Sequence, residues 1–200
     1  MNTQIFLREI NISLFNRRMN DSQRKGITVK LTAFDNHHIT DIRWSAYMLA
    51  TSFHETARTM QPVEEIGKGR GKPYGKKLKY NRKPYTWPDQ IYYGRGDVQL
   101  TWYENYQNMG RILNLPLLEQ PELALQPGIS ARIMIEGMTK GISNRGDFTG
   151  HSLENYFNSY TDDPIRARRI INGLDQANRI AEYHYKFLEA IKKHHKKGSP

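Results

Sequence analysis

Apolar residues recur at the spacing of one helix face along most of this chain, and that period excludes a β-rich fold. In "DIRWSAYMLATSFHE", Trp44, Met48 and Thr51 stand at i, i+4 and i+7. At 3.6 residues per turn they share one direction. The segment 3–19 carries Ile5, Phe6, Ile10, Leu14 and Phe15 at mostly helical spacing, and 21–34 reads as a second helix. The third is 41–56, and "YYGRGDVQLTWYENYQNMGRILNL" turns helical from about Thr101. Residues 121–140 present Leu125, Ile129, Ile133 and Met134 on one side. "HSLENYF" is a short helix, and "NRGDFTG" before it a loop. In the last part Asp163 is a candidate N-cap with Pro164 behind it, and Asn172-Gly173 a break. Ile180, Phe187 and Ile191 form the apolar stripe of a final helix. The fold class is mainly α.

Between the third and fourth helices lies "GKGRGKPYGKKLKYNRKPYTWP", with eight basic residues between Ile66 and Pro88 and no acidic one. A long loop in a compact domain is functional or disordered. The whole reads as a single domain over residues 1–200: an N-terminal helical part (1–40), a central part (41–190) and a basic tail (191–200). Lys and Arg exceed Asp and Glu by 30 to 20, giving a formal charge of +10. That balance suits polyanions: nucleic acid, an acidic membrane face or an acidic wall polymer. Cysteine is absent, so there is neither a disulfide nor a thiol nucleophile.

Eleven positions after Trp44 the helical direction returns, and there stands Glu55, in "SFHETARTM". A carboxylate on an apolar stripe is either a structural cost or a tool. "HETAR" begins like the zinc motif H-E-x-x-H, but Arg58 occupies the second ligand position. No metal and no cofactor is expected. "GKGRGK" lacks the order of a phosphate loop, and no G-x-S-x-G is present. Carboxylates remain. Glu64 and Glu65 follow beyond Pro62, which ends any helix. One carboxyl in a desolvated place and one on a loop able to face it is the pair that glycosidic hydrolysis needs. Spacing alone equally allows a helix-end Glu55 with two solvated neighbours.

Three stretches then occur in order: "HETARTMQPVEE", "YYGRGDVQLTWYENY" and "RRIINGLDQANRIAEYHYKFL". Together they resemble glycoside hydrolase family 19, the chitinase-like family. "RTMQPVEEIGKGRG" and "LFNRRMNDSQRKGI" resemble its phage endolysin branch more than the plant chitinases. The resemblance implies a lysozyme-like domain with two helical lobes around a substrate cleft. It implies Glu55 as general acid and Glu65 as general base, with Glu64 as the alternative base. Thr101 matches the residue that helps hold the attacking water. Gln99 and Asn105 match polar groups of the sugar cleft, and Tyr93 lies in the same segment. Asn172 matches a substrate-binding asparagine, and Arg179 an arginine supporting the acid side. Where the plant enzymes carry a further glutamate after "ING", this chain has Leu174 and Asp175.

The implied reaction is an inverting, endo-acting hydrolysis of β-1,4-linked N-acetylhexosamine chains. Charge favours peptidoglycan, whose stems carry carboxylates, with chitin the alternative substrate. The N-terminus lacks a long apolar h-region, so the expected route is the host cytoplasm and then the periplasm through a holin. The expected partner is the glycan strand, met by a monomer. A contact between the basic C-terminal helix and anionic membrane is a further expectation. Nucleic acid is not an expected partner: the basic stretch 68–83 carries Tyr74 and Tyr80 but no recognised binding motif.

Overall fold

A computed structural model describes residues 2–70, 74, 92–145 and 147–195. Seven α-helices and one two-stranded hairpin are present among them, in the order α1 (Thr3–Ser13), α2 (Asp21–Asn36), α3 (Ile42–Glu55), β1 (Val63–Glu64), β2 (Arg95–Gly96), α4 (Tyr103–Leu113), α5 (Pro127–Met138), α6 (Leu153–Tyr156) and α7 (Ala177–His195). Short 3₁₀ turns at Pro121–Leu125 and Arg166–Ile170 complete them.

Local chemistry sets the ends. Asn20 and Gln23 form a reciprocal capping box at the start of α2. Asp41 accepts from the Arg43 amide at the start of α3. Asp163, the expected N-cap, stands two residues before Ile165, which takes that position on the 3₁₀ turn, and its Oδ1 accepts from the Arg166 amide at 2.9 Å. The helix expected over 3–19 stops at Ser13, because Asn16 and Arg17 take φ of 50° and 62°. Asn11 Oδ1 then receives the Met19 amide at 2.9 Å. The helix expected over 121–140 is split, because Pro127 has no N–H and holds Gln126 extended at φ −72°, ψ 126°. Strands β1 and β2, paired antiparallel as Val63↔Gly96 and Glu64↔Arg95, are too short to leave an alternation in sequence.

Helix α3 is the axis of the molecule: every residue from Ala46 to Phe53 is buried. Helix α7 lies over it through Phe187, whose ring sits 6.0 Å from that of Phe53 and 6.4 Å from Phe6 of α1. Ile180, Phe187 and Ile191 are thus in the core, and the exposed face of α7 retains Lys186, Lys192 and Lys193. Most of the Lys-rich stretch 66–88, and the tail from Lys196 onward, lie outside the described residues. No described helix is long and apolar enough to cross a membrane.

Candidate active site

Glu55 is the last residue of α3, and its side chain remains 15% exposed where the apolar stripe reaches a cleft of about 370 Å³. Gln99, Thr101, Asn105 and Asn172 line the same cleft. Four polar side chains that sequence reading assigned to substrate and water therefore meet the candidate acid in one cavity. They come from three places: Gln99 and Thr101 from the turn between β2 and α4, Asn105 from the first turns of α4, and Asn172 from the Asn172-Gly173 break before α7.

The turn is held in an unusual backbone. Gln99 and Trp102 have φ of 52° and 78°, values costly for non-glycine residues and kept only where surroundings enforce them. The Gln99 amide donates to Val63 O at 3.0 Å and to Gly96 O at 3.2 Å, so it spans the hairpin. Thr101 Oγ1 donates to Gln99 O at 2.7 Å. Its one proton is used, and toward a water it is an acceptor. Asn105 Nδ2 donates to Thr101 O at 2.9 Å, tying α4 to the turn. Trp102 meets Tyr74 edge-on at 4.7 Å, and both face the cleft with Phe148.

Glu55 does not stand alone in its desolvated place. Arg168 Nη1 lies 2.6 Å from Glu55 Oε1, with the guanidinium 2% exposed and its Nε donating to Asp175 O at 2.9 Å. The sequence reading put Arg179 on the acid side and did not single out Arg168. Arg179 is exposed on α7, and its charge is felt at His54. Burial, the largest influence there, lowers the His54 pKa, and Glu55 opposes it. Arg168 had no distinguishing signal, lying in "RARRI" between two other arginines.

The two candidate bases separate. Tyr93 Oη donates to Glu64 Oε1 at 2.7 Å, Lys68 Nζ lies 3.2 Å from Glu64 Oε2, and Arg95 Nε is 4.0 Å from Oε1. These partners, the tyrosine first, hold Glu64 below the usual carboxylate range. Neighbouring residues of extended chain point to opposite faces. Glu65 bonds Gly94 twice: its backbone amide donates to Gly94 O at 2.8 Å, and its side-chain Oε2 accepts from the Gly94 amide at 3.1 Å. Its charge reaches Tyr74, where burial and then Glu65 push the phenol up. Glu65 thus borders the cleft through Tyr74 rather than lining it. Tyr93, expected at the substrate, does not line the cleft either. It is 6% exposed, its hydroxyl serves Glu64 and the Arg95 guanidinium sits 3.6 Å above its ring.

A buried ion pair escaped sequence reading altogether. Lys30 of α2 lies 2.7 Å from Asp97 Oδ1, the side chains being 2% and 0% exposed. Asp97 also accepts from Ser52 Oγ of α3 at 2.9 Å and from Ser130 Oγ of α5 at 2.8 Å.

No protein-family model matches the chain. It is 40% identical to an endochitinase of Arabidopsis thaliana over 81 residues, which are 39% of this chain and 25% of the relative. It is 42% identical to a basic endochitinase of Brassica napus over 78 residues, 39% of this chain and 28% of that one. The match thus spans about a quarter of the length of these curated relatives. Among solved structures, chitinase C of Streptomyces griseus superposes with a TM-score of 0.65 at 21% identity, over 96% of this chain and 76% of that one. A bacterial family 19 chitinase superposes with a TM-score of 0.64 at 21% identity, over 94% and 93% of the two chains. A class IV chitinase of Zea mays gives 0.57 at 20% identity, over 88% of each. The chain has the helical fold of the family 19 chitinases, and about two fifths of it is similar in sequence to endochitinases.

Proposed function

We propose that this chain is an endo-acting glycoside hydrolase that cuts peptidoglycan between N-acetylmuramic acid and N-acetylglucosamine, inverting the anomeric centre. The observation that carries the reading is the single cleft holding Glu55 with Gln99, Thr101, Asn105 and Asn172. As general acid, Glu55 gives a proton to the glycosidic oxygen as the bond to the anomeric carbon breaks. Arg168, already 2.6 Å from Glu55 Oε1, stabilises the carboxylate left behind. Glu65 takes a proton from a water that Thr101 helps to hold, and that water adds from the opposite face. Such a single displacement needs the two carboxyl groups about 6.5–9.5 Å apart, leaving room for the water. Glu64 is unsuited to the base role because Tyr93 and Lys68 already occupy its oxygens. Asn105 and Asn172 offer amides to the sugar hydroxyls and acetamides, Gln99 offers its Oε1 as an acceptor, and Trp102 and Tyr74 offer apolar faces.

The formal charge of +10 supports an anionic wall polymer over a neutral one. In that setting the chain acts as a bacteriolytic endolysin: made in the host cytoplasm, passed through a holin, working as a monomer on glycan strands. The basic outer face of α7 is then available to anionic membrane, and nucleic acid is no partner. A second reading, chitin as substrate, is favoured by the names of the relatives, which are endochitinases. Digestion of purified Gram-negative peptidoglycan and of chitin oligomers, by wild type and Glu55→Gln, decides between them. Reduced muramic ends after borohydride treatment, found only with wild type, are the expected result. Release from chitin alone selects the second reading, and release from neither refutes both.

A further inference from the structure

The candidate acid and base are joined by a short link, residues 56–64; Lys30, outside the cleft, bonds its middle at Met60, and its ion-pair partner Asp97 follows the strand paired with the link's far end. Lys30 Nζ lies 2.7 Å from Asp97 Oδ1, 2.9 Å from Met60 O and 3.4 Å from Gly26 O. An ammonium has three protons, and all three are placed. Met60 belongs to the turn that leaves Glu55, where Ala57, Arg58 and Met60 have φ of 48°, 70° and 57°. Asp97 follows β2 directly, and β2 pairs with the strand that ends beside Glu65. Further contacts press the same turn onto α2. Gln23 Nε2 donates to Arg58 O at 3.0 Å and Gln61 Nε2 to Ser22 O at 2.6 Å. A Cβ on Gly26 would fall 2.0 Å from Met60 O, so only glycine admits this approach. On the other side, Asp97 is fully satisfied: Ser52 and Ser130 donate to its oxygens, and its own amide donates to Ser130 Oγ at 2.8 Å.

We infer that Lys30, with Asp97, is a positioning pair that fixes the separation of Glu55 and Glu65 without touching the substrate. A mere stability role needs only that the two charges neutralise each other. It does not require one ammonium to bond the acid's turn and the base's hairpin at once. The pair is fully buried, and a buried pair is weak evidence for net stability because desolvation offsets its attraction. Its registry role is the better account of why the charges are there.

The inference rests on the acid–base reading given above, so the test has a readout that does not need activity. The chain has no cysteine. Nitroxides are attached at Arg58→Cys, in the first turn of the link, and at Ile66→Cys, just past its end, both exposed. Their spin–spin distance is measured in the wild-type background and in Lys30→Met/Asp97→Asn, which leaves no lone buried charge. Lys30→Met alone strands a buried carboxylate and serves as the unfolding control. The double variant is expected to keep a cooperative melt while the label distance shifts or its distribution at least doubles in width. On peptidoglycan its kcat should fall by about a hundredfold, the scale of a displacement of about 1 Å, with KM within about twofold. An unchanged label distance overturns the positioning role, whatever the activity. A wild type that releases no saccharide refutes the hydrolase reading, while the label distance still decides whether Lys30 fixes the link.

Discussion

Acidification should destabilise this protein through one buried histidine that does not line the cleft. His184 of α7 is 0% exposed, packed between Tyr47 at 5.7 Å and Phe157 at 5.3 Å, and neither ring nitrogen has a hydrogen-bond partner. Burial, reinforced by Lys192 and Arg43, lowers its pKa from 6.5 to about 4, against a weaker opposing pull from Asp41. The folded state therefore takes up its proton later than the unfolded state. Above pH 6.5 both forms are neutral and the group is silent. As pH falls from 6.5 toward 4 the unfolded chain gains a proton the folded one refuses. Each unit in that window costs about 1.4 kcal/mol, so the full loss is about 3 kcal/mol. That is a large part of the stability of a single domain. The assay is urea unfolding across this window for wild type and His184→Phe, which fills the aromatic slot without a titrating ring. Carboxylates titrate in both, so the difference between the two curves isolates the histidine. Wild type should lose about 3 kcal/mol more than the variant on going from neutral pH to below pH 4. Parallel curves would refute the reasoning.

The other predictions concern the site and its surroundings. Glu65→Gln should reduce kcat by at least about a hundredfold, the scale of a lost general base, whereas Glu64→Gln should keep most activity and lower the melting temperature. Equal losses in steady-state digestion would remove the distinction drawn between them. Arg168→Met leaves Glu55 without its partner and should destabilise by about 3 kcal/mol, read by denaturant midpoint. A midpoint equal to that of wild type would show the pair is not formed in solution. Glu136 is raised to about 7, by burial first and by Asp147 second. Its folded pKa exceeds the unfolded one, so stability is lost as pH rises from 4.5 through about 7. Glu136→Gln should therefore be more stable than wild type at pH 8 by thermal melt, and a less stable variant would contradict this.

What the sequence revealed followed from the physics of each element. Helix α3 was legible because its buried face repeats at 3.6 residues, and Glu55 was conspicuous because it continued that face. Asp163 and the Asn172-Gly173 break announced themselves by local chemistry that acts within a few residues. The two-residue strands β1 and β2 left no period to read, yet they carry the backbone that separates Glu64 from Glu65. Arg168 could not be picked from among its neighbours, because what selects it is its buried contact with Glu55 across more than a hundred positions. Lys30 and Asp97 escaped notice for the same reason: their partners are distant in sequence and meet only in the fold. Tyr93 was ambiguous in sequence because an aromatic beside a glycine-rich turn fits a sugar platform and a buried brace equally well. The structure seats it on Glu64 and Arg95.

The central claim, that Glu55 delivers a proton in an inverting cut of a wall glycan, is tested most directly by proton NMR of freshly formed reducing ends. With peptidoglycan fragments, wild type should release α-anomers first, with β-anomers growing in by mutarotation, and Glu55→Gln should release none. First-formed β-anomers would contradict the single displacement, and undiminished release by Glu55→Gln would contradict the acid.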